Sequence, residues 1–85
     1  GEKLSCRSMQ VEGGYGYVVV YGADTLIYQP YIPAIGERTA FASEEEALKI
    51  GRLVCRKLAE KQPPTVSREE IVENLPSMRL PAADR

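Results

Sequence analysis

The first third of the chain alternates with a period of two, and the middle switches to a helical period of about 3.6. Leu4–Val11 (LSCRSMQV) alternates loosely, as a first strand does. Glu12-Gly13-Gly14 breaks it as a turn. Tyr15–Tyr21 (YGYVVVY) carries the strongest strand signal, because Tyr and Val suit a pleated, half-buried surface. Thr25–Gln29 (TLIYQ) is the return strand of a hairpin. Its connection has two readings. A type II′ turn would set Gly22 at the first central position, which demands glycine. A three-residue loop, Gly22-Ala23-Asp24, would shift the pairing by one. The choice decides which residues of the third strand share a face with Tyr17.

Pro30-Tyr31-Ile32-Pro33 cannot continue a central strand, since two prolines remove backbone donors. It reads as an irregular crossing segment, with a short extended piece at Thr39-Ala40-Phe41. A helix follows. Ser43 and Glu46 have the spacing of a capping box, with Ala42 and Ala47 at the staple positions. Ala47, Ile50, Gly51, Val54 and Leu58 form its apolar stripe. Gln62-Pro63-Pro64 stops it. A second box, Ser67 with Glu70, starts a short helix over about 68–75, and Val66 can staple to Ile71.

The pattern predicts an α+β fold of order β-β-β-α-α. A three-stranded antiparallel β-meander packs on one long amphipathic helix, with a short C-terminal helix after it. Residues 1–75 form one small domain, and 76–85 a poorly ordered tail. One helix covers one face of such a sheet. The other face is left for the second helix or for another copy of the chain, as in a homodimer.

Composition narrows the function classes. Eleven basic and 12 acidic residues give a net charge of −1, without the basic excess that nucleic-acid binding needs. No apolar run approaches the roughly 20 residues of a membrane span. The chain begins Gly1-Glu2 without Met, which fits an exported protein with its signal trimmed off or an internal domain boundary. There is no His. An ordinary zinc site and a Ser-His-Asp set are therefore not expected, nor is a cofactor. Glu44-Glu45-Glu46 sits at the positive end of the helix dipole instead of converging on an ion. Gly13-Gly14-Tyr15-Gly16 lacks the phosphate-loop pattern and leads into a strand; its last glycine reads as room for an aromatic neighbour. Cys6 and Cys55 permit one bridge and demand none. Cys55 flanks the apolar stripe and reads as a small buried hydrophobe, while Cys6 on a strand suits core or surface.

The aromatic residues are the most informative candidates. Tyr15, Tyr17, Val19 and Tyr21 alternate and share a face. In an antiparallel hairpin Gly14–Tyr17 meets Gln29–Pro33. Tyr15, Tyr17, Tyr28, Gln29 and Tyr31 would then gather at the hairpin's open end, beside two prolines. Such a cluster either lines a groove for a ligand or peptide, or packs its rings against the helix.

Gly14-Tyr15-Gly16-Tyr17, Gln29-Pro30-Tyr31-Ile32-Pro33-Ala34, Phe41 before the acidic helix start, and Pro63-Pro64-Thr65-Val66 occur together here. With this set the chain resembles the bacterial family known as domain of unknown function 4907, small exported proteins. The resemblance implies an envelope location and a short helical C-terminus. It implies no activity and carries over no catalytic residue. The expected function is a non-enzymatic binding or protein-interaction module with a protein or peptide partner. The alternatives are a homo-oligomeric accessory domain and an enzyme working through Cys6.

Overall fold

The computed structural model describes residues 3–35 and 38–76. The expected tail lies almost wholly outside the described residues. Strands β1 (Leu4–Val11), β2 (Gly14–Tyr21) and β3 (Asp24–Gln29) form one antiparallel sheet in the order β1-β2-β3. Helices α1 (Glu44–Ala59) and α2 (Arg68–Asn74) follow, which is the α+β order the pattern predicts. Val11 pairs with Gly14 across Glu12-Gly13, so Gly14 already belongs to β2.

The second hairpin combines both readings of its connection. Tyr21 pairs with Asp24 across Gly22-Ala23, with Gly22 at φ 60 as a type II′ turn requires. The register then shifts between Val19 and Val20: Val20 pairs with Thr25, but Val19 with Ile27. Leu26 is the extra residue of this bulge. Beyond it the pairing is that of a three-residue loop. Ile27 and Gln29 therefore lie opposite Val19 and Tyr17, while Tyr28 lies opposite Val18.

Alternation sends Tyr17 and Val19 to the helix side, where both are buried. There they join Phe41, Ile50, Val54 and Ile71 in one core. Gly51 allows the close approach of α1: a Cβ there would lie 3.2 Å from Cys6 Cβ and Sγ, and 3.3 Å from Tyr17 Cβ. Leu53 is buried as well, so the apolar face of α1 is wider than the stripe read from the sequence.

The caps differ from one another. The Ser43 hydroxyl accepts from the Glu46 amide at 3.2 Å, but the Glu46 carboxylate turns to the Ala42 amide, one residue beyond the N-cap. The first box is thus half formed. Ala42 is exposed while Ala47 is buried, so no staple closes there. At α2 the box is complete. Glu70 also accepts from Lys57 of α1 at 2.8 Å, which ties the helices together.

The Lys57 side chain and then the Ser67 backbone hold the Glu70 carboxyl below its ordinary value of 4.5. A lowered carboxyl contributes stability above its unfolded value and loses it as pH falls through the folded one. Acidification from neutrality to about pH 3 should therefore lower the urea midpoint of the wild type more than that of Glu70→Gln. Equal losses would show that the contact does not contribute.

Among the described residues α1 packs on β1 and β2, and α2 packs only on α1. The short helix therefore does not cover the second face of the sheet. That face carries Val18 and Val20, half-buried by their neighbours, and the exposed Tyr28.

Candidate functional site

Because α1 lies over β1 and β2, neither helix of the described residues covers β3. On the helix side this leaves a cleft of about 310 Å³. Its floor is Tyr17, Ile27 and Gln29. Pro33 and Ala34 form one wall, and Pro64, Thr65 and Val66 the other.

Local chemistry fixes each part. The Gln29 side chain donates its amide to the Tyr31 carbonyl at 2.8 Å, and the Ile32 amide donates to the Thr39 carbonyl at 2.8 Å. These bonds hold the crossing segment after β3. Ala34 sits at φ 69, a left-handed conformation that alanine rarely adopts. On the opposite wall the Lys57 ammonium donates to the Thr65 carbonyl at 2.6 Å. One lysine therefore fastens both the linker wall and α2.

Among the described residues the lining holds no ionised side chain at neutral pH. Burial, followed by the neighbouring Cys6 and Cys55 sulfurs, pushes the Tyr17 phenol up to about 12. A neutral cleft of this size suits one or two apolar or amide side chains, and sits at the small end of the roughly 300–1,000 Å³ range of ligand sites. Its described lining residues include no carboxylate, thiol or amine. Among the described residues no three His, Cys, Asp or Glu side chains converge as metal ligands. A wider depression of about 440 Å³, beside Arg68, Glu69, Val72 and Glu73, takes these walls from the single helix α2.

The five candidates from the sequence are not all together. Tyr17 and Gln29 line the cleft. Most of Tyr17 is core, only 2% exposed, with its ring 6.1 Å from that of Phe41 at 48°. Tyr15 is half-buried and exchanges two backbone hydrogen bonds with Phe41, at 2.9 and 2.8 Å. Tyr31 is half-buried beside Gln29. Tyr28 points to the other face and is 65% exposed, because the bulge at Leu26 reverses its side. The sequence places Pro33 beside the cluster but gives no sign of Ile27, Ala34 or the Pro64–Val66 wall. Pro64 reads only as a helix stop until the fold brings it across from Pro33.

Two of the strings that carry the family resemblance, Gln29–Ala34 and Pro63–Val66, thus supply most of the cleft. Comparison with curated proteins and with solved structures gives no match. The family model described as Domain of unknown function (DUF4907) matches residues 7–73, and the chain belongs to that family.

Proposed function

We propose that the chain is a non-enzymatic interaction module of the bacterial cell envelope that takes up an extended segment of a protein partner along β3. The observation that carries this reading is the exposure of β3. Among the described residues it is an edge strand with no helix over either face, and it displays Leu26 at 51% and Tyr28 at 65% exposure. An exposed apolar edge is an aggregation hazard unless something pairs with it. A peptide added as a fourth strand would satisfy its outward amides and carbonyls. Alternate side chains of that peptide would reach the cleft on one face and Tyr28 on the other. The envelope location rests on the resemblance to exported proteins.

The test is selection from a random displayed peptide library, followed by affinity measurement on Thr65→Trp. Thr65 is an exposed wall residue, so tryptophan fills the cleft without entering the core. Enriched peptides should be extended and apolar, and should bind the variant at least about tenfold more weakly, a loss of about 1.4 kcal/mol. No enrichment, or equal binding by the variant, would remove the reading.

A second reading is favoured by Val18, Val20 and Tyr28 on the uncovered sheet face. There the occupant is another copy of the chain, making a homodimer. Sedimentation that stays monomeric at high concentration would rule it out.

A further inference from the structure

We propose that Cys6 and Cys55 are a redox pair, converted by a small-molecule disulfide of the glutathione type into a bridge that staples β1 to α1. Cys6 lies on β1, an edge strand, opposite Val19. Cys55 lies on α1, four residues beyond Gly51 and so on the same side of the helix. At Gly51 the helix lies tightly against Cys6: a Cβ there would stand 3.2 Å from its Cβ and Sγ, closer than ordinary contact. One turn on stands Cys55, and both cysteines pack against the one core that β1 and α1 share. Both are free and only half-buried, so a small oxidant can reach them.

The surroundings assign the roles. Burial raises both thiols, but the Arg52 charge acts to favour the Cys6 thiolate. The Cys55 thiol is raised by burial and by the neighbouring Cys6, with no opposing charge. In the proposed exchange Cys6, beside the Arg52 charge, makes the first attack. Its thiolate attacks one sulfur of the small disulfide, forms a mixed disulfide, and expels one thiolate, which takes up the proton Cys6 gave away. Cys55 then loses its proton and attacks the Cys6 sulfur. The second small thiolate leaves and is protonated. Two protein thiols are oxidised to one bridge, and one small disulfide is reduced to two thiols. Nothing in this exchange requires a histidine or a metal, and it is independent of the β3 cleft.

The bridge would close a loop of about 50 residues and restrict the unfolded chain accordingly. The reduced chain, incubated with oxidised glutathione, is read by intact mass, by thiol titration in denaturant and by melting. The expected product is a monomer lighter by two hydrogens, without titratable thiol, melting about 10 °C higher or more. Cys55→Ser should stop at a stable Cys6–glutathione adduct. Wild-type chain that keeps both thiols, keeps glutathione, or links into dimers would overturn the proposal.

Discussion

Phe41→Ala is expected to cost about 4 kcal/mol and to leave the chain near the edge of folding. Phe41 is fully buried and belongs to no strand or helix, yet it joins the parts that do. Its backbone bridges to Tyr15 at the start of β2, and its ring packs on Tyr17. Alanine keeps the backbone bridge and removes the ring, so the loss is transfer free energy plus the cavity left beneath α1. A domain of this size has roughly 4–13 kcal/mol of stability in total. The check is urea unfolding of the variant beside Phe41→Leu, which keeps most of the volume and should lose less than about 1.5 kcal/mol. Similar losses in both variants would mean that ring contact, and not buried volume, stabilises this corner.

Gly16→Ala carries the second large effect, expected at about 3 kcal/mol. A Cβ at this position would stand 2.5 Å from the Gln29 carbonyl oxygen and 2.7 Å from the Pro30 Cα. Both are backbone atoms and cannot swing aside. Only the third neighbour, Met9 Cε at 3.0 Å, is the end of a flexible chain. The substitution must therefore push β3 and the crossing segment away from β2, and so disturb the floor of the cleft. Gly13→Ala is the contrast. Nothing lies within 4 Å of its Cβ, and its only penalty is a φ of 88. It should cost about 1 kcal/mol. Comparable urea midpoints for the two variants would contradict the close approach at Gly16.

The same glycine shows where the sequence runs out. Its position in an aromatic strand suggests room for a ring, whereas the space is taken by the backbone of Gln29 and Pro30. Strands, helices and their order are legible because each rests on a local signal: alternation in YGYVVVY, the Ser43 and Ser67 caps, the Pro63-Pro64 stop. The bulge at Leu26 has no such signal. It trades one residue of register for a better match between a two-residue turn and the half-buried Ile27 that packs on the core, and only packing in three dimensions decides that. Strand proximity alone groups Tyr28 with Tyr17, and the bulge separates them. The cleft is still less legible. It exists because α1 stops short of β3, and because a linker 35 residues downstream of Gln29 returns to face it; Lys57 holding the Thr65 carbonyl gives no pattern in the chain.

Backbone amide exchange along β3 tests the central claim most directly, compared for the chain alone and with a peptide from the library selection. If a peptide adds as a fourth strand, alternate β3 amides that face outward should slow on binding, while those already bonded to β2 and those of α1 should not change. Slowing confined to α1 or α2, or spread over the whole chain, would contradict strand addition at β3.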